Sequence, residues 1–114
     1  MAGSYHWKID QGSTVRKVVR WLKNDSPVDL TGWSARLEIR DRHGGTLLHR
    51  MTSGDSSIGL AADGTISLHI PAATSTAWKW LVGVYDLELI TPEGEPVRLL
   101  EGPVTLSPEV TTGA

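Results

Sequence analysis

At 114 residues and 12.4 kDa the chain has the length of one ordinary domain and is too short for two. The absence of cysteine excludes thiolate nucleophiles, cysteine-bearing zinc sites and disulfides. Eleven Lys+Arg against thirteen Asp+Glu, a formal charge of −2, leave no basic excess for neutralising nucleic-acid phosphates, so no nucleic-acid partner is expected.

The start, MAGSYHWKIDQGS, lacks the apolar core of a signal peptide, and no apolar run approaches the ~18 residues of a membrane span. A single domain over 1–114 is expected, made in the cytoplasm without a leader, with no membrane partner and with short flexible ends at 1–4 and 108–114.

In chain order, the first strand-forming stretch is 15–22 (VRKVVRWL). Its pattern is imperfect: either Lys17 shares a face with Val15, Val19 and Trp21, or a bulge lies near Val18. A corner follows over 27–32, where Pro27 restricts the backbone, Asp29 and Thr31 bond the local chain, and Gly32 supplies a positive φ ahead of Trp33. Residues 33–40 give the cleanest strand, with Trp33, Ala35, Leu37 and Ile39 alternating against Ser34, Arg36, Glu38 and Arg40.

A further strand over 46–52 leads to Asp63-Gly64, a two-residue hairpin signal flanked by Ile58, Leu60 and Ile66. Residues 65–70 alternate again, with Ile66, Leu68 and Ile70 on one face. Pro71 then opens a stretch of helix formers, predicting one short helical turn near 71–78 that crosses between sheets, with Pro71 at its first position. Tyr85, Leu87 and Leu89 alternate with Asp86 and Glu88 over 84–91, and 96–106 is a last strand bent at Gly102-Pro103. About seven short antiparallel strands with regular turns predict an all-β, immunoglobulin-like sandwich.

Chemistry-bearing patterns are sparse. His6, His43, His49 and His69 fall at no metal-ligand spacing, no GxSxG elbow is present, and no glycine-rich phosphate loop occurs. No catalytic, cofactor-binding or metal residue is therefore assigned, and the chain is read as a non-enzyme. Asp86 and Glu88, two residues apart on one strand face, have a spacing that would suit a glycosidase pair. Pairing with Arg36, Arg40 and Arg98 on a solvated face explains them more cheaply. Trp21 and Trp33 are assigned to the core. Trp78 and Trp80, with Lys79 between them, and Trp7 near the start are assigned as interface anchors, because large apolar side chains at a surface mark contact sites. Edge strands at 5–9 and 96–107 are further places for a partner strand.

The segments QGSTVRKVVRW (11–21), PVDLTGWSARLEIR (27–40), DGTISLHIPAATSTAW (63–78) and GVYDLELITPEGEPVRLLEGPVTLSPEVT (83–111), in this order, resemble small structural proteins of tailed bacteriophages built on an immunoglobulin-like domain, similar to the N-terminal domain of upper baseplate proteins. The resemblance implies a virion location, other virion proteins of the tail, neck or capsid as partners, and a homo-oligomer in the particle. It points to a tail, baseplate or neck accessory, with a capsid decoration protein as the alternative. Baseplate proteins of that kind continue into a long helical or fibre-forming region, and with this sequence stopping at Ala114 a receptor-binding fibre role is not expected. A small carbohydrate-binding module, using the same sandwich and exposed tryptophans, is the alternative from another class.

Overall fold

The segment with the cleanest alternation lies inside the largest sheet of a computed structural model, which describes residues 3–110. The strands are β1 (Gly3–Ser4), β2 (Trp7–Asp10), β3 (Val15–Arg20), β4 (Leu22–Lys23), β5 (Ser26–Pro27), β6 (Ser34–Arg40), β7 (Leu47–Thr52), β8 (Ile58–Leu60), β9 (Thr65–Ile70), β10 (Val82–Ile90) and β11 (Pro96–Ser107). A short helix, α1 (Ala72–Thr76), joins β9 to β10. The larger sheet runs β1-β11-β10-β6-β7, with β2 also paired to β11; the smaller runs β3-β9-β8, and β4-β5 form a separate ribbon. The chain passes from the small sheet to the large one between β3 and β6 and again through α1, returning between β7 and β8. This is an all-β, immunoglobulin-like sandwich.

Period-two alternation explains why these sheets face each other. Ala35, Leu37 and Ile39 of β6 and Tyr85, Leu87 and Leu89 of β10 are buried on one side of the large sheet, facing Ile66, Leu68 and Ile70 of β9. Fully burying a side chain of this size contributes about 1.5–3 kcal/mol. Trp7 and Ile9 of β2 close the core beside Val104 and Leu106, opposite which they lie in register.

Eleven strands stand among the described residues where about seven were expected, and two pairings, β1 and β2 with β11, are parallel rather than antiparallel. The additional elements are short pieces of two to four residues, too brief for an alternation signal. Gly3 and Ser4, expected in a loose start, pair with Leu100 and Glu101. Pro108, Glu109 and Val110 follow β11 as irregular chain, with the Glu109 N–H donating to Gln11 Oε1 at 2.9 Å. The rest of the expected flexible ends, residues 1, 2 and 111–114, lies outside the described residues.

The ambiguity in β3 resolves to an unbroken register with Lys17 on the inward side opposite Leu68. Its Nζ leaves the sandwich edge to donate to Tyr5 Oη at 2.7 Å and lies 4.0 Å from the centre of that ring. The hairpin at Asp63-Gly64 is present with a longer loop than expected. Ala61 N–H bonds Thr65 O, Gly64 N–H bonds Ala61 O, and Gly64 takes φ +84°, a turn ending in a left-handed residue. Pro71 sits one residue earlier than expected, as the extended N-cap of α1. Asp29, Asp55 and Asp63 each accept a backbone N–H two residues on, from Thr31, Ser57 and Thr65 at 2.9–3.0 Å. Side-chain hydrogen bonds from the same three residues, and then these backbone bonds, lower all three carboxyl pKa values.

Candidate functional site

Each tryptophan assigned as an anchor has a definite place. Trp7 is buried, its ring meeting Tyr85 edge-on at 5.6 Å. An edge strand can carry a core residue when its inward positions face the opposite sheet, and Trp7 occupies such a position, so it offers no surface to a partner. Trp78 is also buried, packed against His49 at 5.2 Å and against Trp80 at 5.0 Å between ring centres. Burial lowers the pKa of His49, with Asp55 opposing the shift. Trp80 is half-buried and its Nε1 is enclosed without a hydrogen-bond partner, leaving Lys79 the exposed member of the trio. Trp21 and Trp33, expected in the core, pack against its margin edge-on to each other at 5.6 Å and stay half-buried. The corner before Trp33 is anchored instead by Leu30, 2% exposed.

Trp78 is held in place by polar contacts without a strong sequence signal. Ser75, the buried polar residue of α1, accepts the Gly12 N–H at 2.9 Å. Gln11 Nε2 donates to Trp78 O at 3.0 Å and Thr76 O at 3.3 Å. These bonds tie the turn after β2 to the link between the two sheets.

The broadest organised polar surface among the described residues is the outer face of the large sheet. Register places four rows of side chains across β7, β6, β10 and β11. One row is Thr52, Arg36, Glu88 and Arg98; the next is Arg50, Glu38, Asp86 and Glu101. A third holds Leu47, Arg40, Val84 and Pro103, and beyond it Val82 lies opposite Thr105. The first two rows are charged; the third is apolar apart from Arg40, and the exposed apolar side chains on this face include Val82, 66% exposed, and Leu47, 42% exposed.

Arg36 meets Glu88 at 2.7 Å, as expected, and Arg98 meets Asp86 at 3.6 Å and Glu101 at 3.4 Å. Arg40, expected beside Asp86 or Glu88, instead reaches Glu38 at 2.9 Å, where Arg50 also arrives at 3.5 Å. Asp86 is raised above the ordinary carboxyl pKa by partial burial, with Glu88, Glu38 and Glu101 adding to the shift and Arg98 opposing it. A shallow hollow of about 220 Å³ lies among Arg36, Glu38, Arg50, Asp86 and Glu88. Among the described residues no group of three His, Asp or Glu is placed to hold a metal ion, and no helix is long and apolar enough to cross a membrane.

Gly102 marks where the N-terminal strand crosses this sheet. Tyr5 N–H donates to Glu101 O at 3.0 Å, and Tyr5 O accepts the buried Tyr85 hydroxyl at 2.7 Å. Burial raises the Tyr85 pKa. β11 lies between β10 and the β1 and β2 strands, so residues 96–107, expected to be an edge, are inside the sheet, while β1 and β2 on one side and β7 on the other form its edges.

No family model matches the chain, and no curated protein matches it. Among solved structures it is similar to Drosophila OTK, extracellular domains 3–5, at 19% sequence identity and a TM-score of 0.39. That match covers 96% of this chain and 33% of the other, so the chain spans about a third of the length of the protein it matches.

Proposed function

We propose that the chain is a non-enzymatic structural component of a tailed-phage virion, a tail, baseplate or neck accessory that binds neighbouring virion proteins through the outer face of its larger sheet. The observation that carries the binding reading is the row pattern on that face. Carboxylates that would otherwise be candidates for chemistry, Asp86 and Glu88, are each engaged by an arginine on an open surface, with exposed Val82 and Leu47 beside them. The virion setting is supported by the ordered segments that resemble small phage structural proteins.

A carbohydrate module is less well supported, because stacking on a sugar needs an exposed aromatic face. Trp7 and Trp78 are buried, and Trp21, Trp33 and Trp80 are half-buried. The test is quantitative mass spectrometry of purified particles against the major capsid protein. A few to tens of copies would support the tail, baseplate or neck position, and hundreds would favour capsid decoration. Absence from the particle would overturn the virion reading.

A further inference from the structure

The outer face of the large sheet has a symmetry in its side chains that the ion pairs within one chain do not require. Consider a two-fold axis parallel to the strands and passing between β6 and β10, with a second copy laid face to face. The axis exchanges β7 with β11 and β6 with β10 while keeping each row in place. In the first row Arg36 then faces Glu88 of the second copy, and Glu88 faces its Arg36. In the second row Arg50 faces Glu101, and in the third Leu47 faces Pro103. The like-charge opposition, Glu38 against Asp86, is flanked in each copy by Arg40 and Arg98, which already pair with those carboxylates.

We infer that the chain forms a two-fold dimer through this face. The inference rests on the reading above and deepens it by naming a second copy of this chain as the neighbour on that face, and its test needs only the purified chain. A two-fold interface must be self-complementary, each patch meeting a copy of itself. The alternation of Arg and Glu between β6 and β10 and between β7 and β11 satisfies that requirement with two classes of cross-copy ion pair. The third row adds apolar contacts from Leu47, Val84 and Pro103 beside Arg40, which stays paired with Glu38. Four strands at ~4.8 Å spacing and a nine-residue β10 at ~3.3 Å per residue make a footprint of roughly 20 Å by 30 Å. That is near the lower bound of about 600 Å² per partner for specific interfaces, so the dimer is a reversible one.

Arg50 and Glu101 provide the test, because they lie on strands separated by β6 and β10 and do not pair with each other within a chain; their in-chain partners are Glu38 and Arg98, and those exposed pairs contribute less than about 1 kcal/mol to stability. Arg50→Glu alone sets carboxylate against carboxylate at both of these contacts in its homodimer, and Glu101→Arg alone sets guanidinium against guanidinium at both. Mixed one to one, the two variants regain an opposite-charge pair at one contact and keep the native pair at the other. Sedimentation velocity of the wild type should show a concentration-dependent dimer that weakens with added salt. Each variant alone should sediment as a monomer with an unchanged circular dichroism spectrum, and their mixture should recover the dimer. The inference fails if the wild type stays monomeric up to about 1 mM, where even the weakest association worth ~4 kcal/mol would register. It also fails if either variant alone dimerises as the wild type does, or if the folded variants do not associate on mixing. None of these outcomes depends on whether particles contain the chain, so the two proposals stand or fall separately.

Discussion

Replacing Gly102 with alanine should detach the N-terminal strand from the sandwich while leaving the two sheets packed. A Cβ at this position would collide with the carbonyl oxygen of Tyr5 and lie 2.9 Å from its carbonyl carbon. Both atoms belong to backbone and cannot swing aside as a flexible side chain would. Gly102 also has φ +157°, and a side chain held in such a region costs on the order of 1–3 kcal/mol. Relief requires the chain at Tyr5 to move off, breaking Tyr5 N–H to Glu101 O and Tyr85 Oη to Tyr5 O. Each bond contributes about 1 kcal/mol net, and leaving the Tyr85 hydroxyl enclosed without a partner adds roughly 1–3 kcal/mol. Together with the φ cost the expected loss is about 4–8 kcal/mol, a large share of the ~5–15 kcal/mol typical of a domain. Urea denaturation followed by tryptophan fluorescence measures the total, and amide exchange at residues 3–6 locates it. A loss under about 1 kcal/mol, with protection at Tyr5 intact, would refute the close-approach reasoning.

Other perturbations separate the remaining parts of the account. Ser75→Ala removes the acceptor for Gly12 N–H inside the fold and should cost about 1–3 kcal/mol in urea denaturation, unlike replacements at exposed serines. Leu37→Ala should cost about 2–5 kcal/mol, whereas Arg36→Ala next to it should change stability by less than about 1 kcal/mol, because β6 puts Leu37 in the core and the Arg36–Glu88 pair in solvent. The pKa of His49 is lower in the folded state than in the unfolded chain, so its contribution is fully present above the unfolded value of 6.5 and is lost as pH falls through that value toward the folded one. Thermal stability should accordingly fall as pH drops below about 6.5, and His49→Leu should flatten that slope. An equal slope in the variant would show that His49 does not carry it.

Strands whose two faces differ in polarity were legible from the sequence, because Leu37 and Arg36, or Leu87 and Asp86, cannot exchange faces without burying charge. The corner at Asp29–Gly32 was equally legible, its chemistry being local. The fate of the tryptophans was not. Whether Trp78 is a surface anchor or a core residue depends on His49, far along the chain, and on bonds from Gln11 that have no periodic signature. The parallel pairing of β1 and β2 with β11 is likewise a long-range event between short segments. One missed element did carry a signal: Asn24 and Asp25, both at positive φ, make the tight turn between β4 and β5, and the Asn-Asp dipeptide is suited to such a turn. On the outer sheet face, Asp86, Glu88 and two of their arginine partners could be named in advance. Arg50 could not, because its strand has no clean alternation to assign it a face.

The central claim is that the outer face of the larger sheet is the surface by which the chain meets its neighbours. Hydroxyl-radical footprinting of the chain free at low concentration and assembled in the proposed particle decides it. Leu47, Val82, Val84 and Pro103 should lose reactivity on assembly, while Val18 and Leu22, exposed elsewhere on the sandwich, should keep theirs. Unchanged reactivity of those four residues together with protection of Val18 and Leu22 would contradict it and move the contact surface elsewhere.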